Sequence, residues 1–357
     1  MIDYERTRLR DELKRKDDEI VRLLRERAVL SVEMGKLKAK EGLTIYDTVQ
    51  ESKIFNYLEE MNEGPLPVRS LKKIYSEILS ASRALQEPLS VAYLGPEASF
   101  TSMAAKAQFG ESTLYVPQST ILDVFEQVEK SRVNYGVVPV ENSLEGIVKM
   151  TQDRLISTSV NILAETYLPI EHVLMSVRRN REGLLRVYSH PQALAQCQGW
   201  LRKHLPDCST HEVESTAKAA QMVLTDDESA AIGSRNAAAI YDLNIIDEGV
   251  EDCSSNITRF LVIGEGRNSP TGRDKTSIIF GTRHDPGALC RALQPFAEKE
   301  INLQKIISHP IRERAWEYLF FVDFSGHRDE ESIGQCLQTL REGCTFIKIL
   351  GSYPMAE

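Results

Sequence analysis

Two cations in the first long helical pattern have a spacing that could serve one anion. Arg27 and Lys38 are 11 residues apart, which at about 100° per residue returns both side chains to nearly the same face, roughly 16 Å apart along the axis. Arg10 lies 17 residues before Arg27, so it would project about 25 Å away and roughly 100° around the helix. Arg10 could therefore act only on a site shared with a second copy of the chain.

Two polar pairs occur in the shorter helical patterns that follow. Asp47 and Glu51, and likewise Ser82 and Gln86, are four residues apart, a spacing that places each pair on one helix face. Such pairs could add hydrogen bonds to an anion site. Because charged runs are usually solvated surface, spacing alone also allows a plain exposed face.

A second group of polar residues lies at the start of an apolar segment. "CSSNITRFLVIG", residues 253–264, places Asn256, Thr258 and Arg259 at the mouth of a strand pattern. In an α/β sheet such a late segment can return to the first lobe and line a cleft with the ends of other strands. The candidate neighbours are "GPEASFT" at 95–101, "ENSLEG" at 141–146, "SHPQALAQC" at 189–197 and "ESTAKAA" at 214–220.

The last of these segments predicts an anion site at a helix start. Ser215 or Thr216 can cap the helix and leave its N-terminal amides directed at a negative group. The sequence has no G-x-S-x-G elbow, no G-x-G-x-x-G after the first strand and no P-loop. Hydrolase, nucleotide-binding and phosphoryl-transfer functions therefore lack a motif.

Three helices must position the first set of residues. Apolar residues recur at helical spacing through 3–40, Gly42 ends that pattern, and shorter helices are predicted within 47–64 and after Pro67. Residues 1–87 would thus form an all-α domain. Because three helices are too thin a bundle to bury their apolar faces alone, we expect the chain to associate with a copy of itself.

The rest of the chain predicts two further domains. Short apolar strands alternate with helices from 90 to 264, which is typical of a mostly parallel α/β sheet that binds ligands at the carboxyl ends of its strands. Residues 275–354 follow the βαββαβ order of a ferredoxin-like unit. Asp285 and Pro286 predict the N-cap and first position of its first helix, and 264–274 is the clearest linker. The fold class is multidomain.

Composition limits the class of partner. The 357 residues carry a net charge of −9, which offers no basic surface for nucleic acid or acidic lipid and favours a small molecule. No apolar run reaches the roughly 20 residues of a membrane span, so we expect no membrane partner and a cytoplasmic location. The six cysteines have neither C-x-x-C nor zinc spacing with histidine, which indicates packing residues and no metal site.

Residues 3–87, with "LRDELKRKDDEIVRLLRERAVLSVEMGKLK", "YDTVQE" and "SASRALQ", resemble the all-helical chorismate mutase family. The resemblance implies an intertwined dimer that rearranges chorismate to prephenate. It implies catalytic roles for Arg27, Lys38, Glu51 and Gln86, and substrate contacts from Asp47, Ser82 and, donated to the second protomer's site, Arg10. Gln50 stands where the family commonly has arginine, so a dehydratase whose helical domain serves only dimerisation stays an alternative.

Residues 90–264 resemble prephenate dehydratase through "YLGPEASF", "VPVENSLEGIV", "SHPQALAQC", "ESTAKAA", "AAIGS" and "NITRFLVIG". The resemblance implies two α/β lobes around a cleft and an essential Thr258, which we assign to the hydroxyl that leaves, as donor or relay. We expect substrate contacts from Asn142, Ser143, Ser215, Thr216 and Arg259, and fixing the loop is the alternative role for Arg259. The family's usual Gly-Thr pair is Ala98-Ser99 here, which changes a permissive position.

Residues 275–354 resemble an ACT domain, which in this family binds phenylalanine at a dimer interface. Gly287, Ala288 and Leu289 match the family's "GAL" turn. The second family motif, Glu-Ser-Arg-Pro, is Ile307-Ser308-His309-Pro310 here, and only Ser308 of its polar residues remains. A purely structural dimer module is therefore the alternative to a phenylalanine sensor.

Together these resemblances predict a bifunctional enzyme of phenylalanine biosynthesis, acting on chorismate and prephenate as a homodimer or homotetramer. Neither reaction needs redox chemistry or a metal, so no cofactor is expected. A non-catalytic small-molecule sensor with the same three parts is the alternative from another class. The retained Thr258 and the set Arg27, Lys38, Glu51 and Gln86 favour the enzyme.

Overall fold

A computed structural model describes residues 2–310 and 318–356 of the chain. Its internal packing divides into two units. The first comprises Met1–Asp47, Tyr57–Leu89 and Phe109–Leu114, and the second comprises Thr48–Asn56, Ser90–Gln108 and Tyr115–Glu357. Within the described part of the chain, no helix is both long and apolar enough to cross a lipid bilayer.

Long helices make up most of the first unit, and the predicted all-α region is confirmed. α1 covers Ile2–Glu41, α2 covers Thr48–Met61 and α3 covers Val68–Gln86. α1 and α3 meet closely at Gly35, where an added Cβ would lie 2.8 Å from the Cβ of Gln86. Asp47 differs from its predicted place on the second helix, because α2 begins one residue after it.

The amino-terminal part of α1 presents apolar side chains to solvent in the single chain. Leu13 is 64% exposed, Ile20 54% and Leu30 64%. Burial of such apolar area is the main favourable contribution to folding and association. The helix therefore has a face that its own chain leaves uncovered.

The first lobe of the second unit is a mixed sheet of the order β2-β1-β3-β11-β5, with β4 paired to β3. β1 and β3 are parallel, whereas β11 runs antiparallel to both β3 and β5. The prediction of a mostly parallel sheet is wrong here, because a strand buried on both faces has the same apolar composition in either direction. The strands are β1 (Ser90–Leu94), β2 (Leu114–Gln118), β3 (Tyr135–Asn142), β4 (Gly146–Ile147), β5 (Asn161–Pro169) and β11 (Ile257–Gly264). The predicted return of the late segment to the first lobe is confirmed.

The second lobe is a sheet of the order β10-β6-β9-β7-β8. β7 is parallel to β8 and β9, while β6 is antiparallel to β9 and β10. Its strands are β6 (Val173–Ser176), β7 (Arg186–Ser189), β8 (Ser209–Glu212), β9 (Ser229–Gly233) and β10 (Asn244–Glu248). The helices of the two lobes are α4 (Phe100–Phe109), α5 (Ile121–Glu129), α6 (Lys149–Ser157), α7 (Pro191–Gln196), α8 (Gln198–His204), α9 (Thr216–Val223) and α10 (Arg235–Ile240).

The carboxyl-terminal part has the predicted βαββαβ order and forms a sheet β13-β14-β12-β15. Its elements are β12 (Asp274–Gly281), α11 (Ala288–Glu298), β13 (Leu303–Pro310), β14 (Tyr318–Ser325), α12 (Glu331–Gly343) and β15 (Phe346–Pro354). The pattern "WEYLFFVDF" predicts the third strand from Trp316, which lies outside the described residues. α12 and α11 pack on one face through a shared apolar core.

The start of α11 differs from the prediction based on Asp285 and Pro286. The helix begins at Ala288, after Gly287 with φ of +78°, and the Asp285 carboxylate accepts a hydrogen bond from Arg291 at 2.7 Å. The left-handed glycine allows the chain to turn before the helix, a conformation that residues with a Cβ avoid. The local Asp-Pro rule therefore placed the helix start two residues early.

The segment predicted as a linker is held in place. The Asn268 side-chain amide donates to the carbonyls of Leu163 and Ser352 at 2.8 and 3.1 Å, and the Asp274 carboxylate accepts from the backbone N–H of Thr271 at 2.7 Å. These contacts join β5 and β15 through the connection. The carboxyl-terminal sheet thus has a defined seat on the first lobe.

The close approach of β15 to β5 predicts a large effect of one added methyl group. A Cβ at Gly351 would lie 2.1 Å from the carbonyl oxygen of Ile162, so Gly351→Ala should lower the free energy of unfolding by about 1–3 kcal/mol, the usual cost of overpacking. Gly343→Ala is the matched control, because a Cβ there has nothing within 4 Å. Urea denaturation midpoints measure the stability of both variants. Equal midpoints would contradict the close contact between Gly351 on β15 and Ile162 on β5.

Candidate active site

A cleft of about 830 Å³ opens between the two lobes of the second unit. The carboxyl end of β3 and the amino end of the antiparallel β11 meet there. Thr258 and Asn142 are register partners on these strands, and both are almost fully buried. Antiparallel pairing therefore explains why polar residues stand at the mouth of an apolar strand: the beginning of β11 reaches the same sheet edge as the end of β3.

The hydrogen bonds of Asn142 fix which end of its amide faces Thr258. Its Oδ1 accepts from the backbone N–H groups of Leu144 and Glu145 at 3.0 and 3.1 Å, so its Nδ2 must face the cleft. Nδ2 donates to Thr258 Oγ1 at 2.9 Å and to Asn256 Oδ1 at 2.6 Å. Thr258 Oγ1 thus accepts a hydrogen bond, and in the described residues nothing takes the hydrogen of its hydroxyl.

The polar chain continues from Asn256 into the second lobe. Asn256 Nδ2 donates to Gln196 Oε1 at 3.0 Å, and Gln196 Nε2 donates to the Glu145 carboxylate at 2.8 Å. Each amide is oriented by its neighbour, because a carboxylate only accepts. This one-directional chain holds the Asn256 amide against Asn142 and leaves the Thr258 hydroxyl as the free donor.

His172 joins the same chain as a neutral imidazole. Its Nε2 lies 3.1 Å from Gln196 Oε1, which only accepts, so Nε2 carries a hydrogen, and in the neutral ring Nδ1 then carries none. Burial lowers the pKa of His172 below its usual value, although the hydrogen bond with Gln196 opposes the shift. Nδ1 is buried and has no partner within the described residues. A charged imidazole would be unfavourable at this place.

The second lobe brings a helix start and a cation to the cleft. Ser215 Oγ accepts from the backbone N–H of Lys218 at 3.0 Å and caps α9, as predicted from the sequence. Ser215, Thr216 and Lys218 all line the cleft. The remaining free amides of α9 and the Lys218 ammonium can together receive an anion.

The loop before α4 has a residue in an unusual conformation. Ala98, which stands where the related family usually has glycine, is buried and has φ of +71°. A left-handed conformation costs a residue with a Cβ about 1–2 kcal/mol. Ser99 nevertheless lines the cleft, and its hydroxyl donates to the Leu94 carbonyl at 3.0 Å.

Two predicted substrate contacts have other partners. The Arg259 guanidinium donates to Glu165 at 2.8 Å and to the Tyr353 hydroxyl at 2.9 Å, on the side of β11 away from the cleft. Ser143 donates to the Ser255 carbonyl at 3.0 Å. Neither residue lines the cleft. Arg259 follows Thr258 on β11, and successive side chains of a strand alternate between its faces, whereas Ser143 lies just beyond the end of β3.

The first unit brings together several residues of the predicted anion site. Arg27 donates to Ser82 Oγ, and the Ser82 hydroxyl donates to the Ile78 carbonyl at 2.7 Å. Lys38 donates to the Ile45 carbonyl at 3.1 Å and lies 4.0 Å from the Asp47 carboxylate. Both cations are therefore held by neighbouring elements and are not free on a solvated face.

The other residues of that set occupy different surroundings. Gln86 Oε1 is buried and without a hydrogen-bond partner in the part of the chain that is described. Glu51 lies in the first turn of α2, and Arg10 is exposed on the uncovered part of α1. The exposure of Arg10 agrees with the spacing argument that it cannot serve the site of Arg27 in its own chain.

The carboxyl-terminal part has its own cavity of about 220 Å³. Gly287, Ala288 and Leu289 line it together with Tyr318 and Phe320. Ser308 does not line this cavity; it lies on β13 as the register partner of Phe320. The "GAL" turn is thus placed at a cavity, whereas the remaining polar residue of the second motif is one strand away.

Sequence reasoning did not single out several polar residues of the cleft, among them Gln196, Lys218 and His172. Gln196 and Lys218 stand inside the quoted segments "SHPQALAQC" and "ESTAKAA", and His172 stands at the start of the strand pattern "HVLMSV". The only sequence signal for these residues is that each lies shortly before or after a predicted strand. A single polar residue at such a place does not show which side of the sheet it faces. The tertiary structure supplies that information.

The buried His172 predicts a pH dependence of stability. Its folded-state pKa lies below the value of about 6.5 expected when unfolded, so the unfolded chain binds the extra proton first and stability is lost as the pH falls below about 6.5. His172→Gln keeps a donor for Gln196. It should flatten the decline in the free energy of unfolding, measured by urea titration, between about pH 7.5 and 5.5, by at most about 1.4 kcal/mol per pH unit. His211→Gln, at an exposed histidine, should follow the wild type; an unchanged slope for His172→Gln would contradict the assignment.

Comparison with known proteins identifies all three parts. Family models match at residues 9–87 (chorismate mutase type II), 91–268 (prephenate dehydratase) and 276–342 (ACT domain). A bifunctional chorismate mutase/prephenate dehydratase of Aquifex aeolicus is 47% identical over 98% of this chain and 97% of its own length. One from Pseudomonas aeruginosa is 40% identical over 95% of each.

A solved structure agrees with these matches. Prephenate dehydratase from Arthrobacter aurescens, in complex with L-Phe, has a TM-score of 0.69 and 31% identity over 75% of this chain and 90% of that one. The predicted order of a helical, a two-lobed α/β and a ferredoxin-like part is confirmed. The chain belongs to the family of bifunctional chorismate mutase/prephenate dehydratases, with an ACT domain at its carboxyl end.

Proposed function

We propose that the cleft between the lobes is the prephenate dehydratase site and that Thr258 is the hydrogen-bond donor to the hydroxyl that leaves. The observation that carries this assignment is the fixed amide of Asn142, which donates to Thr258 Oγ1 and so leaves the threonine hydrogen available. The domains would extend over 1–87, 90–264 and 275–354.

The dehydration needs a donor at one end of prephenate and an anchor at the other. The ring carboxylate leaves as neutral CO2 while the C4 hydroxyl leaves as water, so a proton must reach that hydroxyl. Threonine alone is a weak acid. The hydrogen bond from Asn142 makes the Thr258 oxygen better able to bear negative charge, because hydrogen bonds in a chain polarise one another. Thr258 can then donate directly or hold the group that does.

The second lobe offers the anchor for the pyruvyl carboxylate. Lys218 and the capped start of α9 at Ser215 and Thr216 line the same cleft as Thr258. A cation and helix amides together favour a carboxylate. Asn142 would then act mainly through Thr258, and Ser143 and Arg259 would act as supports of the strands and loop.

The helical segment would hold chorismate for a unimolecular Claisen rearrangement. Such a reaction gains from a folded substrate conformer and from positive groups at the ether oxygen, where negative charge develops. Arg27 and Arg10 of the second protomer would clamp the carboxylates, and Lys38 and Gln86 would address the ether oxygen. Gln86 would reach the ether oxygen through its amide Nε2, because an amide oxygen only accepts hydrogen bonds; its Oε1 is buried and has no hydrogen-bond partner among the described residues.

The remaining mutase groups are Glu51 and Asp47, which would hold the substrate hydroxyl through the Glu51 side chain and the backbone near Asp47. Ser82 would keep Arg27 oriented. Gln50 keeps hydrogen bonding but lacks the charge of the family's usual arginine. We therefore expect an altered mutase rate and a working site, since both carboxylate clamps and the lysine remain.

A dimer would complete this site. The exposed apolar face of α1 needs a partner, and a second copy of the same helix is the complementary surface that an intertwined dimer supplies. Phenylalanine is the proposed effector at the "GAL" cavity, supported by the ACT match and by the L-Phe complex of the Arthrobacter aurescens protein.

The dehydratase assignment predicts different effects of two substitutions at one position. Thr258→Val removes the hydroxyl at constant shape and should lower dehydratase kcat by about 10²- to 10⁴-fold, the range of general acid catalysis. Thr258→Ser keeps the donor and should retain most of the rate. Chorismate is given to the purified protein while chorismate, prephenate and phenylpyruvate are followed; prephenate should accumulate with Thr258→Val. Full phenylpyruvate formation by that variant would refute the assignment, and a wild type that turns over neither substrate would favour the sensor.

The shared mutase site predicts that two inactive variants restore each other. In a dimer of Arg10→Ala and Arg27→Ala chains, one site combines intact Arg27 with intact Arg10 of the other chain, and the second site lacks both. Random mixing after co-refolding should recover about a quarter of the wild-type mutase rate, because half the dimers are mixed and each has one whole site. Mixing Arg27→Ala with Lys38→Ala should recover nothing, since both residues belong to the same chain's part. Absence of recovery in the first mixture would place Arg10 outside the site.

A further inference from the structure

Each member of the pair Asn142 and Thr258 has a charged chain neighbour on the opposite face of the sheet. Glu141 precedes Asn142 on β3 and Arg259 follows Thr258 on β11, and these two charged residues are register partners. Successive side chains of a strand point to opposite faces. The polar pair faces the cleft, and the charged pair faces the carboxyl-terminal sheet.

The carboxyl-terminal sheet presents a cross-strand pair whose cation lies opposite the Glu141 carboxylate and whose carboxylate lies opposite the Arg259 guanidinium. Lys305 on β13 and Asp323 on β14 are register partners. Arg259 donates to the Asp323 carboxylate and Lys305 donates to the Glu141 carboxylate. Two cross-strand pairs from different sheets thus form a charge quartet of Glu141, Arg259, Lys305 and Asp323.

The arrangement of signs makes the quartet specific. If the partners were exchanged, Arg259 would face Lys305 and Glu141 would face Asp323, so only one placement of the two sheets brings opposite charges together. The side chains are 7% exposed for Arg259, 13% for Asp323, 20% for Lys305 and 33% for Glu141. Charges interact more strongly in such partly dry surroundings than at the surface.

Arg259 carries further bonds that fix the start of β11. It donates to Glu165 on β5 and to the Tyr353 hydroxyl on β15. Burial acts to lower the pKa of Arg259, but Tyr353, Asp323 and Glu165 raise it well above its usual value. The guanidinium therefore stays charged and bound to three strands other than its own.

We propose that the charge quartet positions Thr258 and Asn142. Dehydratase turnover then depends on where the carboxyl-terminal sheet (β13-β14-β12-β15, hereafter the ACT sheet) lies relative to β3 and β11. The inference rests on the dehydratase site proposed above. The quartet residues do not touch the substrate and act through their chain neighbours. Because a misplacement of about 1 Å can cost on the order of 10²-fold in rate, a small shift of the ACT sheet is enough to alter turnover.

The test uses the two less buried members, since Arg259→Ala and Asp323→Ala leave a buried charge unpaired and can prevent folding. We propose a double-mutant cycle in the full-length protein, made of Lys305→Met, Glu141→Gln and the variant with both substitutions. The readouts are kcat and KM for prephenate and the rate of the chorismate mutase reaction. Lys305→Met should lower dehydratase kcat by about three- to thirtyfold, leave KM within about twofold, and leave the mutase rate unchanged. Glu141→Gln should add little once Lys305 is replaced, and Lys305→Arg should restore most of the rate.

Lys348→Met is the matched control. Lys348 is another lysine of the carboxyl-terminal sheet that contacts the two-lobed region, where it donates to the carbonyls of Leu155, Ile156 and Thr158 and, among the described residues, to no group on β3 or β11. Its replacement should lower the thermal midpoint and keep dehydratase kcat within about twofold of wild type. Equal loss of kcat in Lys348→Met and Lys305→Met would overturn the quartet as the specific contact.

The remaining outcomes separate the inference from the site on which it rests. Additive effects of Lys305→Met and Glu141→Gln on kcat, or unchanged kcat in a folded Lys305→Met protein, would overturn the inference alone. Full turnover by Thr258→Val would instead refute the proposed dehydratase site. Loss of kcat in Lys305→Met with rescue by Lys305→Arg and non-additivity in the cycle would support the quartet.

Discussion

The pairing of β11 with β3 is the contact on which the proposed dehydratase site depends. The chain leaves the first lobe through β5, builds the second lobe, and returns at Ile257 to lie between β3 and β5. Only this return places Thr258 opposite Asn142, 116 positions earlier in the sequence. Because β11 is antiparallel, its beginning and not its end reaches the sheet edge where β3 stops, and a polar start is therefore needed on a strand that is otherwise buried.

The same pairing demands charge balance on the other face. Arg259 is almost fully buried, and removing a guanidinium from water is unfavourable unless it is paired and hydrogen-bonded. Glu165 accepts from both Arg259 and Lys275, and Asp323 accepts from both Arg259 and Ser277. Burial raises the pKa of Asp323, but the Arg259 cation, the hydrogen bonds from Ser277 and Arg259 and the charge of Lys275 together hold that pKa below its usual value. These ions favour one placement of the sheets more than they add net stability, since buried ion pairs roughly balance their desolvation.

The sequence predicted those features that repeat along the chain or lie close together in it. The three helices, the βαββαβ order and the Ser215 cap follow from periodicity and local capping rules, and the structure agrees. The directions of the strands in the first lobe, and the face of β11 on which Arg259 lies, could not be predicted this way, because both depend on pairing between segments that are far apart in the sequence. The helix start predicted from Asp285 was wrong for the opposite reason. The capping rule is local, but the helix begins only after Gly287, whose left-handed conformation is visible only in the folded turn.

The two chemistries of this chain differ in what they require of the protein, and the structure distributes them accordingly. A Claisen rearrangement needs fixed positive groups around a folded substrate. In the proposed mutase site two cations are held by neighbours within one unit, Arg27 by Ser82 and Lys38 by Ile45. Dehydration also needs a donor whose hydrogen points at a leaving hydroxyl, and its direction depends on strands that are themselves bound to the ACT sheet. If the charge quartet acts as proposed, a disturbance of that sheet reaches the second reaction through β3 and β11. Since the product of the first reaction is the substrate of the second, such a disturbance would slow the second step while prephenate continues to form.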